Sequence, residues 1–217
     1  MSGLDFDRQR MMMVTNQLRT NAVTDGAVLA AMAAVPRERF IGGEQGAIAY
    51  RDTIVPLGEG RGLNPPIATG RLLTAARPRA GERALVIGAG AGYTAALLAE
   101  IGCEVVALEQ SLALLARARA ALEGIAAVSL VEGPLAEGWA ERAPYALIML
   151  DGGVERIPDA VIAQLAEGGR MVGARLDRGV SRLFHGGRQG EGFGITSFAD
   201  VETAPLPGFA PAPAFSF

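Results

Sequence analysis

Apolar positions along the chain follow two regimes. From residue 83 onward, short apolar runs recur at 83–87, 104–108, 127–131, 145–150 and 170–175. Between them, 92–101, 111–123 and 158–166 read as helices, and Glu167-Gly168-Gly169-Arg170 reads as the turn into the fifth strand. Strands alternating with helices imply right-handed crossovers and a parallel sheet. Before residue 83 the pattern is helical. Phe6, Met13, Val14 and Leu18 mark a helix over 5–19, and Thr24-Asp25 caps a second over 26–34 that Pro36 closes. Residues 36–66 carry glycines and prolines without periodicity, which predicts loops with short strands. A third helix is expected over 67–76, then a turn over 77–82. After residue 176, Ser181–His185 and Phe193–Phe198 predict an antiparallel pair at one edge, and the Pro- and Phe-rich 205–217 an extended tail. No internal repeat is visible. Residues 1–217 form one α/β domain in this reading: an N-terminal helical cap and substrate loop (1–80), an α/β core (81–176), and a C-terminal hairpin with its tail (177–217).

In such sheets ligands sit beyond the carboxyl ends of the strands. Ala84-Leu85-Val86-Ile87 runs there into Gly88-Ala89-Gly90-Ala91-Gly92-Tyr93, and Glu109 ends the next strand seventeen residues after Gly92. Glycines at such a turn permit positive φ and close backbone approach to a ligand, and an acid at the next strand end grips ribose hydroxyls. A nucleoside-cofactor site is therefore expected at Gly88, Ala89, Gly90, Gly92 and Glu109. Gly90-x-Gly92-x-x-Ala95 also satisfies the relaxed dinucleotide fingerprint, so a nicotinamide reading stays open on these residues alone. Gly88-x-Gly90-x-Gly92 followed by an aromatic is the form more often seen with S-adenosylmethionine.

Composition narrows the partners. The 217 residues are half apolar and one fifth charged, with net charge −3 and no lysine. A mildly acidic chain with scattered arginines lacks the cation density that phosphate backbones require, so no nucleic-acid partner is expected. One cysteine, Cys103, excludes an internal disulfide framework and fits a reducing compartment. No stretch approaches the roughly twenty apolar residues of a spanning helix. A soluble, cytoplasmic protein with no membrane partner and no metal site is expected; its oligomeric state is open.

Several further segments resemble the protein-L-isoaspartate O-methyltransferase family. They are Val14-x-x-Gln17-Leu18-Arg19, Val35-Pro36-Arg37-x-x-Phe40, Ala49-Tyr50-x-Asp52 leading to Pro56-Leu57-Gly58, the glycine turn itself, Glu137-Gly138-Trp139, Ala143-Pro144-Tyr145, Ile157-Pro158, and Gln164-Leu165-x-x-Gly168-Gly169-Arg170. Together they span about residues 8–175. The resemblance implies a class I (Rossmann-like) S-adenosylmethionine-dependent methyltransferase, with a mainly parallel seven-stranded sheet, an N-terminal helical cap and an antiparallel C-terminal edge. It also implies S-adenosyl-L-methionine as donor, S-adenosyl-L-homocysteine as product, and the carboxylate of an isoaspartyl protein or peptide as acceptor, or a small carboxylate. A carboxylic acid ordinarily titrates near a pH of about 4 and is already ionised at neutral pH, so such a transfer needs no general base. His185, the sole histidine, is expected on the surface of an edge strand.

The chain departs from the family at four places. The family's Gly-Gln-Thr-Ile-Ser-Gln-Pro loop aligns with Gly60-Arg61-Gly62-Leu63-Asn64-Pro65-Pro66, so Asn64 stands where a hydroxyl faces donor and acceptor. Val86 replaces an acid before the first glycine. Gly133-Pro134-Leu135 replaces the Gly-Asp-Gly that contacts adenine; Pro134 and Leu135 would form an apolar slot for it, with Glu132 beside them. Asp151-Gly152-Gly153 replaces Thr-Ala-Ala. Asn64 and Asp151 are the catalytic candidates, Asp151 either orienting the acceptor or acting as base, against a plain turn role capping Gly152-Gly153. Arg61 and Arg71 are candidates to offset its repulsion of an acceptor carboxylate. The alternatives are a degenerate methyltransferase fold kept as a binding or regulatory module, motivated by Val86, Asn64 and Pro134, and a methyltransferase with another acceptor.

Overall fold

The computed structural model describes residues 5–190 and 192–210. Asp5 caps α1 (Phe6–Met12), whose spiral continues through a π-helical stretch, Met13–Leu18, and a short 3₁₀ turn, Arg19–Asn21. The Asp25 carboxylate accepts from Ala27 N and Val28 N and so starts α2 (Gly26–Ala34). Residues 36–66, predicted as loops with short strands, hold a small antiparallel hairpin, β1 (Val55–Gly58) and β2 (Arg61–Leu63), before α3 (Pro66–Ala76).

The central sheet has seven strands in the order β5–β4–β3–β6–β7–β8–β9. These are β3 (Arg83–Ile87), β4 (Glu104–Glu109), β5 (Val128–Glu132), β6 (Tyr145–Val154), β7 (Leu165–Asp177), β8 (Val180–Gln189) and β9 (Gly192–Asp200). Pairings from β5 through β7 are parallel, and β8 and β9 add the expected antiparallel edge. Helices α4 (Tyr93–Ile101) and α5 (Leu112–Ala121) cross between the first strands. Both faces of β3 are buried, which is why it reads as a continuous apolar run rather than an alternation. Ala84 and Val86 join a core shared with cap residues Met13, Leu18, Met32 and Phe40. Leu85 and Ile87 join a second core that includes Leu206 and Phe209 of the C-terminal segment.

Three expectations need correction. The helix expected over 158–166 is a single turn, α6 (Asp159–Ile162), because the chain enters β7 at Leu165, where Tyr145 N already donates to Gln164 O at 2.9 Å. The Glu167-Gly168-Gly169 turn is consequently an irregularity within β7, Gly168 taking φ +68°. Asp151-Gly152-Gly153 is no turn either: it continues β6, with Leu150, Asp151 and Gly152 standing opposite the single residue Gly173. Such a bulge re-aims side chains, and it leaves Asp151 only 6% exposed. No helix among the described residues is long and apolar enough to cross a membrane. Of the predicted tail, residues 205–210 are described and the rest lies outside the described residues; Pro205 bridges Gly153 in parallel fashion.

Candidate active site

The glycine turn forms as its spacing demands. Gly88 N and Ala89 N donate to Leu108 O at 2.9 and 3.0 Å, which ties the loop to the end of β4. Gly88, Gly90 and Gly92 all take positive φ, at +79°, +56° and +99°. Glu109, fully buried at the end of β4, receives Gly90 N at 2.8 Å on one oxygen and Gln110 N and Ser111 N at 2.9 and 3.1 Å on the other. A carboxylate at the strand end beside a glycine loop is the acceptor that ribose recognition uses in nucleotide-binding folds.

That carboxylate already has a partner. Arg61, from the β1–β2 hairpin, places Nη1 2.8 and 2.7 Å from the two Glu109 oxygens and Nη2 2.9 Å from Gly88 O. Both side chains are essentially buried, at 3% and 0% exposure. The space above the glycines is taken as well. A Cβ on Gly88 would meet Leu206 Cδ2 at 2.5 Å, and one on Gly90 would meet Leu57 Cδ1 at 3.1 Å. The residue types of the cradle suit an adenosyl group, but in this arrangement the chain's own Arg61, Leu57 and Leu206 fill the volume, and the group does not fit. Three cavities of about 740, 770 and 780 Å³ open elsewhere, and a smaller one of about 260 Å³ borders the loop only at Ala91.

The two catalytic candidates do meet. Asn64 donates through Nδ2 to Asp151 Oδ1 at 2.9 Å and accepts Ala204 N on Oδ1 at 2.8 Å. Burial pushes the Asp151 carboxyl above its ordinary range, and the Asn64 amide and the positive charges of Arg61 and Arg37 pull the other way. Arg37 is a site residue that the sequence reading missed. It is wholly buried and binds Ala49 O and Asn64 O, each at 2.6 Å, with its guanidinium 5.0 Å from the Tyr93 ring centroid. Its Nη1 finds no hydrogen-bond partner among the described residues. The only signal for it in the sequence is the Pro36-Arg37 segment of the family resemblance.

Other candidates are scattered. Arg71 lies over Phe198 and lines a different groove, so of the two arginines proposed beside Asp151 only Arg61 is placed to act on it. Pro134 is exposed, whereas Leu135 is buried in the second core, so the two do not form a free slot for an adenine ring. Gly133 abuts Trp139, and Glu132 is exposed. Val86 is core. Burial, reinforced by Glu82, pushes the Cys103 thiol up to about 11, which keeps it protonated and unreactive at neutral pH. His185 is exposed, as expected, but β8 is paired on both sides, by β7 and β9, and is not the edge strand.

A mainly parallel seven-stranded sheet with a glycine loop after its central strand, an acid ending the neighbouring one and an antiparallel edge is a Rossmann-like fold of the kind that class I methyltransferases share. Residues 8–187 match the family model described as protein-L-isoaspartate(D-aspartate) O-methyltransferase (PCMT). The chain belongs to this family. It is 39% identical over 207 residues to protein-L-isoaspartate O-methyltransferase 1 of Rhodopseudomonas palustris, covering 94% of this chain and 84% of that one. It is 38% identical over 202 residues to the Methylorubrum populi protein-L-isoaspartate O-methyltransferase, covering 92% and 95%. The fold is similar to a solved protein-L-isoaspartate O-methyltransferase with TM-score 0.80 and 23% identity, covering 93% of this chain and 66% of that one. It is also similar, with TM-score 0.78 and 18% identity, to a Plasmodium falciparum PCMT solved in complex with S-adenosyl-L-homocysteine, covering 91% and 97%.

Proposed function

We propose that this chain is an O-methyltransferase that takes its methyl group from S-adenosyl-L-methionine and delivers it to a carboxylate, that of an isoaspartyl residue in a protein or peptide. The observation that carries the reading is the cradle itself. The Gly90 amide fixes a buried Glu109 carboxylate at the strand end that follows the glycine loop, in a chain that belongs to a family of carboxylate methyltransferases.

This chain's residues suit an acceptor that needs no deprotonation. A carboxylate acceptor arrives ionised. The surroundings must hold it and keep water away, and positioning of this kind supplies on the order of 7–11 kcal/mol of a barrier. Asn64 joins the loop before α3 to the bulged end of β6, so the side chain replacing a hydroxyl fixes the geometry between hairpin and sheet. Asp151 is an unsuitable neighbour for an acceptor carboxylate while charged. Its raised pKa, its amide partner and the nearby guanidinium groups of Arg61 and Arg37 reduce that repulsion. Asn64 and Asp151 are therefore positioning residues in this reading.

The test is methyl-ester formation. The full chain is incubated with methyl-labelled S-adenosyl-L-methionine and three acceptors: an isoaspartyl peptide, the same peptide with ordinary aspartate, and a small dicarboxylate. Base-labile label on the isoaspartyl peptide alone is expected. It should disappear in G90V, since a side chain there meets Leu57 and must adopt φ +56°. Label only on the dicarboxylate would replace the acceptor; no label on any would overturn the reading.

A further inference from the structure

Residues that depart from the family pattern in separate stretches of sequence meet on one structural element. The segment Thr203–Phe209 returns from β9 across the carboxyl end of β6. Gly153 N donates to Ala204 O, and Leu206 N to Gly153 O, both at 2.8 Å. A Cβ on Gly152 would lie 2.5 Å from Ala204 O, so that position needs to be glycine for this segment to lie down; one on Gly153 would meet Leu176 of β7 first, at 2.7 Å, and then Thr203 Oγ1 at 3.0 Å. Asn64 receives the Ala204 amide. Leu206 then reaches Gly88, where it stands beside Arg61 Nη2. Asn64, Gly152-Gly153 and Arg61 thus hold one strap and one guanidinium inside the cradle.

We infer that Arg61 is an internal ligand of the donor site: it occupies Glu109 in place of a sugar, under the Leu206 strap, and must leave before an adenosyl group enters. The inference rests on the proposed donor, and concerns how this chain admits it. The buried pair is well made, with Nη1 bridging both carboxylate oxygens and Nη2 on Gly88 O. Among the described residues Arg61 Nε is buried without a partner, so the contacts to Glu109 and Gly88 are the ones that fix the head group there. A ligand that binds only the open arrangement has its apparent affinity lowered by the fraction of molecules that are open. Glutamine at this position keeps a polar side chain and removes the charge that competes for Glu109.

The experiment is calorimetric titration of S-adenosyl-L-homocysteine into the full chain, R61Q and L206A. R61Q is expected to bind about ten- to a hundredfold tighter than the unaltered chain, and L206A tighter in the same direction. Amide hydrogen exchange supplies a readout without substitution. Saturating S-adenosyl-L-homocysteine should speed exchange across 55–63 and 203–209 in the unaltered chain while slowing it at 88–92. Equal affinities for all three proteins, with exchange in the strap unchanged, would overturn the guard and leave the methyltransferase reading standing. Absence of heat from all three would overturn the donor assignment and the guard together. Should R61Q not fold, L206A and the exchange data decide between the same outcomes.

Discussion

The cradle and its cover are made by different kinds of sequence. The cradle is β3, the glycine turn, α4 and β4, contiguous over residues 83–109, and each part follows from a neighbour a few positions away. The cover is Leu57, Arg61, Asn64 and the 203–209 strap, brought together from segments some 140 residues apart, as in the Ala204 N to Asn64 bond. The cradle supplies chemistry recognisable in many ligand sites, and the cover decides when that chemistry is accessible. Local spacing reveals what a site is built to hold; long-range packing sets what holds it in the meantime.

The largest expected effect lies where the two regions meet. E109A leaves the Arg61 guanidinium buried without a countercharge, and breaking one side of such a pair costs about 3–5 kcal/mol. Urea unfolding of E109A should show that loss. A change within about 1 kcal/mol would mean that the pair is solvated in solution and the cover is not seated. Next in size is G88A. Its methyl group meets Leu206 at 2.5 Å and its φ is +79°, so a loss of about 1–3 kcal/mol is expected. L206A should restore part of it in a double-mutant cycle. Strict additivity would place Leu206 elsewhere.

N64A removes one bond to each side of the cover, to Asp151 and to the Ala204 amide, with an expected cost of about 1–3 kcal/mol. Faster amide exchange confined to 203–209 would locate the loss; uniform destabilisation would assign Asn64 to the core at large. Smaller again is a pH effect at Asp151. Burial raises its carboxyl above the ordinary value of 3.8, so the folded state favours the protonated form. Its contribution to stability is therefore full below that ordinary value and is lost as pH rises through the raised one. D151N should melt higher than the unaltered chain at pH 7, with the difference shrinking as the pH falls toward that ordinary value; a gap that widens in acid would reverse the sign. As a baseline, R182A breaks an exposed pair with Asp200 and should change stability by under about 1 kcal/mol.

Much of the frame is legible because it depends on near neighbours. The first two parallel strands, the Asp25 cap, the glycine turn and Glu109 all follow from spacing, and the structure places them as expected. The 158–166 helix is read too long because its apolar spacing also serves a single turn followed by a strand, and Tyr145 settles the competition by taking Gln164 O. Asp151 looks like a turn residue because Asp-Gly-Gly is ordinary turn chemistry, and the bulge against Gly173 depends on β7, fourteen or more residues later. Arg61 reads as a cation near the site, but nothing local to it shows that its partner is Glu109. Leu206 carries no signal, since one leucine among prolines points nowhere until the tail is laid across β6. Pro134-Leu135 is ambiguous for the reverse reason: an apolar pair at a strand end suits a ligand slot and a buried anchor equally well, and Leu135 packs into the second core.

A structure of the full chain with S-adenosyl-L-homocysteine bound tests the central claim most directly. The ribose hydroxyls are expected on Glu109, with the Arg61 guanidinium withdrawn from it and Leu206 lifted from Gly88. The product seated in the cradle with the Arg61–Glu109 pair unbroken, or seated away from the glycine loop, would contradict it.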